Sequence, residues 1–79
     1  MEGLGQKLRE YGMTTIQVNG ESRTYEETLT IAQLLLLLGV PTETVLVECN
    51  REVLPREQFG TRVIADGDEL ELVRFVGGG

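Results

Sequence analysis

Two kinds of periodicity run along this chain. Ile16 and Val18 alternate with Thr15 and Gln17, and Leu70 and Leu72 alternate with Glu69, Glu71 and Val73. Such a period of two predicts half-buried strands. Between them Ile31, Leu34, Leu35 and Leu38 fall on one face at helical spacing, so this stretch is read as a helix packed on a sheet. Thr30 with Gln33 three residues on gives the helix a capping-box start, and Gly39 followed by Pro41 marks its stop.

Turn chemistry joins these pieces. Asn19-Gly20 supplies two residues that tolerate positive φ, which predicts a type I′ hairpin into a second, more polar strand through Ser22, Thr24 and Tyr25. Val45 to Cys49 reads as a strand, Asn50-Arg51 as a turn, and the following segment as a short extended piece through Leu54 that Pro55 ends. "PREQF" suits one irregular helical turn pinned inward by Phe59. Asp66-Gly67-Asp68 is read as an Asx-bonded turn before the last strand. The expected order β-β-α-β-β-β predicts an α+β fold, one mixed sheet with the helix across one face.

Parity assigns the faces. With Val45, Val47, Leu70 and Leu72 toward the helix, Leu46, Val73 and Phe75 belong to the opposite face, where no second helix is expected to cover them. That patch is the candidate partner contact. Leu36 points away from the core face, and the run of five leucines leaves two readings open: ordinary surface leucine, or a helix that touches a partner.

Composition narrows the function. Seventy-nine residues suffice for one domain with a modest core. Residues 1–12 carry Leu4, Leu8 and Tyr11 at helical spacing, interrupted by glycines, and are read as an extension that is loose or docked by one turn; the compact domain is placed at 13–76. Thirteen acidic against seven basic residues give a net charge of −6, which disfavours nucleic acid and anionic membrane and suits a partner with a basic face. The chain has no histidine and a single cysteine, so no internal disulfide, metal cluster or histidine-activated nucleophile is expected. Cys49 shares the parity of Val45 and Val47 and reads as a core thiol. With no run long enough for a membrane span and no secretory segment, a cytoplasmic location is expected, and catalysis by the chain alone is not.

The last residues are Gly77, Gly78 and Gly79. Consecutive residues without side chains make a pliable thread that enters a cleft too narrow for any Cβ. At its end Gly79 presents a carboxylate, inert until an enzyme converts it to an acyl-adenylate with ATP. On this reading the folded body is held while a partner works on the tail. A frayed terminus is the competing reading from composition alone.

"VNG" at 18–20, "VLVECNREVLPREQF" at 45–59 and "DGDELELVRFVGGG" at 66–79 resemble the sulfur carrier protein family of thiamine biosynthesis, within the ubiquitin-like β-grasp proteins. The resemblance covers residues 13 to 79 and implies the β-grasp fold. It further implies that Gly79 is adenylated by an ATP-dependent, ubiquitin-activating-like adenylyltransferase and carried as a thiocarboxylate. Sulfur would come from a donor such as a cysteine desulfurase and pass to thiazole synthase. Related carriers serve molybdopterin, tRNA or amino-acid thiolation, and a ubiquitin-like modifier whose Gly79 forms an isopeptide bond is the alternative of a different class.

Overall fold

A computed structural model describes residues 13–75; the expected extension at 1–12 and the tail at Gly77, Gly78 and Gly79 lie outside the described residues. Strand β1 (Thr14–Val18) turns into β2 (Glu21–Tyr25), helix α1 (Ile31–Leu38) follows, and a 3-10 turn at Thr42–Thr44 leads into β3 (Val45–Cys49). A two-residue β4 (Glu52–Val53), a second 3-10 turn at Arg56–Gln58 and β5 (Glu69–Arg74) complete the chain of elements. The sheet order is β2-β1-β5-β3-β4, with β5 parallel to β1 and antiparallel to β3. Among the described residues, a single main helix on this mixed sheet makes the ubiquitin-like β-grasp architecture.

Local signals place the elements. Asn19 and Gly20 adopt φ of 51° and 84°, the two left-handed residues that a type I′ turn needs. Asn50 and Arg51, with φ of 54° and 72°, repeat that backbone between β3 and β4 without a glycine. The capping box is complete: Thr30 Oγ1 accepts from the Gln33 N–H (3.2 Å), and Gln33 Oε1 accepts from the Thr30 N–H (2.9 Å). Gly39 closes α1 in the left-handed conformation. Arg56 to Gln58 forms the turn expected in "PREQF", and Phe59 is buried behind it.

The core lies between α1 and the sheet. Ile31, Leu34 and Leu35 pack in one cluster with Ile16, Val18, Val45, Val47 and Leu70, while Leu38 and Leu72 are half-buried against its margin. Leu29, Leu54 and Ile64 join this cluster from the connections. They sit in short polar stretches without period, so the pattern of the sequence did not single them out. Backbone bonds explain their position: the Ile64 N–H donates to the Leu29 carbonyl (2.8 Å), and the Ile31 N–H donates to the Arg62 carbonyl (3.0 Å). The segment before β5 is thereby tied to the start of the helix. Among the described residues, no helix is long and apolar enough to cross a membrane.

Candidate functional site

Strand β5 delivers the chain toward its glycines, so what holds β5 determines where the tail starts. Both asparagine turns grip it. The Leu72 N–H donates to Asn19 Oδ1 (2.7 Å) while Asn19 Nδ2 donates to the Leu72 carbonyl (3.2 Å). At the other end the Glu69 N–H donates to Asn50 Oδ1 (3.0 Å), and the Asn50 N–H donates to the Glu69 carbonyl (2.8 Å). An asparagine tolerates positive φ and also carries one donor and one acceptor for a neighbouring strand. The sequence identified the turns but not these clamps.

The two aspartates of the Asp66-Gly67-Asp68 turn are structural as well, though their bonds are less local than the Asx closure expected. Asp66 Oδ1 accepts from the Thr15 N–H (2.7 Å), fixing the turn to β1. The Asp68 side chain is largely buried and accepts from Asn50 Nδ2 (3.0 Å) and the Ala65 N–H (2.8 Å). Among the described residues no three acidic, cysteine or histidine side chains gather to hold a metal ion.

Cys49 is buried, as its parity predicted. Arg62 Nη2 lies 3.1 Å from its sulfur and 3.7 Å from Asp68 Oδ2. Burial pushes the thiol above its ordinary value of 9.0; the nearby Asp68 carboxylate adds to the rise, Arg62 opposes it and Glu52 contributes further. A thiol held protonated is a poor nucleophile. Because the unfolded thiol ionises first on the alkaline side, the contribution of Cys49 to stability is complete below the ordinary thiol pKa and is lost as pH rises through the raised folded value. Denaturant titrations across that alkaline range should therefore show falling stability, with a shallower fall in Cys49→Ala. Equal slopes in the two chains would rule this out.

The outer sheet face gathers the predicted contact residues. Leu46 and Val73 are directly opposed across β3 and β5, and Phe75 follows on the same side, 60% exposed. Leu46 is half-buried and Val73 exposed. The register adds Val53, which faces Glu48 on this side and is 58% exposed; its place two residues after a tight turn hid it from the sequence reading. Glu48 and Glu71, opposed to one another, supply acidic neighbours.

Phe75 is held at its backbone. Its N–H donates to the Thr44 carbonyl (2.8 Å), continuing the β3–β5 ladder past Arg74. Arg56 steadies the turn that presents this carbonyl, with Nε donating to the Thr42 carbonyl (3.0 Å) and Nη2 to the Glu43 carbonyl (3.0 Å). The arginine of "PREQF" thus braces the turn to which Phe75 is bonded. Gly77, Gly78 and Gly79 lie outside the described residues.

The profile of the ThiS family matches residues 16–79, which takes in these turns, the outer face and the three glycines. The chain belongs to the ThiS family. The sulfur carrier protein ThiS of Bacillus subtilis is 35% identical over 65 residues, spanning 81% of this chain and 98% of that one. The crystal structure of the thiamine biosynthesis protein (ThiS) from Geobacter metallireducens is 42% identical with a TM-score of 0.72, over 84% of this chain and 100% of that one. The thiazole synthase of Paramagnetospirillum magneticum is 42% identical over 62 residues, 78% of this chain. The chain spans only 19% of that protein and 20% of a second thiazole synthase from Magnetococcus marinus.

Proposed function

We propose that this chain carries sulfur as a thiocarboxylate at Gly79 and donates it to thiazole formation in thiamine biosynthesis. The observation that carries the reading is the ThiS-family match, which continues through residue 79 and so includes Gly77, Gly78 and Gly79. A carboxylate oxygen of Gly79 attacks the α-phosphate of ATP on a ubiquitin-activating-like adenylyltransferase, and pyrophosphate leaves. A persulfide sulfur, supplied through a donor such as a cysteine desulfurase, then displaces AMP from the acyl carbon, and a thiol cleaves the resulting acyl disulfide, leaving the thiocarboxylate on Gly79 and a new disulfide on the thiol's side. Gly77 and Gly78 let the acyl group pass through a narrow cleft because neither carries a Cβ.

Leu46, Val73 and Phe75 are the body contact in this scheme, with Val53 at their side. An apolar centre with acidic neighbours suits a partner whose docking surface is apolar and edged by basic residues. Thiazole synthase is the acceptor that the two larger relatives suggest by name. Incubation with the adenylyltransferase, ATP and a sulfur donor, followed by intact-protein mass spectrometry, should show exchange of one oxygen for sulfur at the terminus. A stable isopeptide adduct with no such exchange would overturn the carrier reading.

The outer face makes its own prediction. Phe75 is mostly exposed, so Phe75→Ala should change stability by no more than about 0.5 kcal/mol, the usual range for surface positions. As an aromatic anchor it should nonetheless cost about 2 kcal/mol or more of adenylyltransferase affinity. Calorimetric titration beside thermal unfolding separates the two. Loss of stability with unchanged affinity would place Phe75 in the core instead.

A further inference from the structure

At the end of β5 the helix side of the sheet carries the opposite sign from the outer face. Arg74 shares the parity of Leu70 and Leu72 and is paired with the buried Val45, so it projects to the helix side. Arg23 is paired with the buried Ile16 and projects the same way from β2. β1 is paired with β5 only as far as Leu70, while β5 runs on to Arg74. Beyond that last pair lies an open hollow of about 320 Å³. Val18, Leu38, Val40 and Leu72 make its floor, and Arg23 and Arg74 stand at its rim. The Val40 N–H donates to the Leu35 carbonyl (2.9 Å), which folds the chain back at the helix end and completes the apolar surface.

We propose that this hollow receives an acidic residue, set beside an apolar one, of the adenylyltransferase that takes up the tail, an assignment that rests on the carrier reading above. Charge selects the occupant. In a chain of net charge −6, Arg56 is held by the Thr42 and Glu43 carbonyls and Arg62 by Cys49 and Asp68. Arg51 sits in the turn between β3 and β4. Arg23 and Arg74 are both exposed and meet at this one hollow. Arg23 has Glu21 at 3.6 Å, whereas Arg74 has no carboxylate within salt-bridge distance among the described residues. Exposed guanidinium groups above an apolar floor suit a carboxylate carried on an apolar segment. Position selects the protein that carries it. Arg74 lies between Val73 and Phe75, the proposed contacts of the outer face. A cleft that closes round the chain after Phe75 has a wall on each side of β5. One wall meets Leu46, Val73 and Phe75 with Glu48 and Glu71 beside them, and the other meets the two arginines. Opposite signs on the two sides admit the partner one way round.

Calorimetric titration of the full chain against the adenylyltransferase, at low and high salt, tests this. Arg74→Glu is expected to weaken binding about thirtyfold or more, because it sets like charges face to face. Arg74→Gln, which only removes the charge, should lose about fivefold. Glu21→Gln, which leaves Arg23 unopposed, should tighten binding about twofold. The loss in Arg74→Glu should shrink at high salt, and thermal unfolding of all three variants should match the parent, since these positions are exposed. Unchanged affinity in both Arg74 variants overturns the proposal. So does saturable binding of inorganic phosphate to the free chain with shifts at the Arg23 and Arg74 guanidinium resonances, which would make the hollow a small-anion site. Oxygen-for-sulfur exchange in the parent chain separates the two readings. With exchange present and affinities unchanged, the docking assignment alone falls; with exchange absent, the carrier reading falls and the docking assignment with it.

Discussion

Deleting Gly79 is expected to reduce thiocarboxylate formation by at least about a hundredfold while leaving the unfolding transition where it was. Among the described residues the core cluster is drawn from positions 16 to 70, and glycine has no side chain to add to it. Chemistry depends on reach instead. Phe75 is fixed to the Thr44 carbonyl, and residues 76 to 79 lead from that anchor to the carboxylate proposed to react. Each extended residue spans about 3.3–3.6 Å, and a misplacement near 1 Å can already cost about a hundredfold in an oriented reaction. Two companions distinguish reach from access. One alanine added after Gly79 keeps a carboxylate but displaces it outward. Gly78→Val keeps the length but adds a β-branched side chain where the thread must be thin. Intact-mass measurement of oxygen-for-sulfur exchange should rank all three far below the parent chain. Equal exchange in every variant would sink the assignment of chemistry to this terminus.

Leu35→Ala should destabilise the fold by about 2–5 kcal/mol, the cost of removing a leucine side chain from a packed site that collapses only partly. Leu35 has 0% exposure and lies in the cluster between α1 and the sheet. Native proteins have about 5–15 kcal/mol in total, so this loss takes a large share of the margin. Its neighbour is the internal control. Leu36 is 81% exposed, and Leu36→Gln should shift stability by less than about 0.5 kcal/mol. Urea unfolding of the pair checks both. Comparable destabilisation of the two variants would mean that the face of α1 is misassigned.

That contrast inside one leucine run was legible beforehand, because a helix sorts residues by an angle fixed at every step. The hairpin at Asn19-Gly20 and the cap at Thr30 were legible for the same reason: their causes lie within four residues. Parity likewise put Cys49 inside and Leu46, Val73 and Phe75 outside. What escaped has causes far away in the chain. Asp66 bonds to an amide 51 residues earlier, and Asn19 bonds to β5 across 53 residues. Val53 joins the outer face only because a two-residue strand happens to register on Glu48. The sequence reading reached a mixed sheet but not its order, since strand neighbours are chosen by global packing rather than by local composition.

The position of β5 also governs when this protein can come into being. It is the middle strand of the sheet, yet translation makes it after the other four. Until it emerges, the β1–β2 hairpin and the β3–β4 pair have no strand in common, and Leu70 is missing from beneath the helix. Joining Gln17 to Glu69 closes a loop of some fifty residues, a slow and entropically costly event compared with hairpin formation. The nascent chain thus stays uncommitted until β5 has been made. A product ended before β5 therefore lacks the strand that joins the two halves of the sheet. A partner that grips the sheet would pass over every product ended before β5.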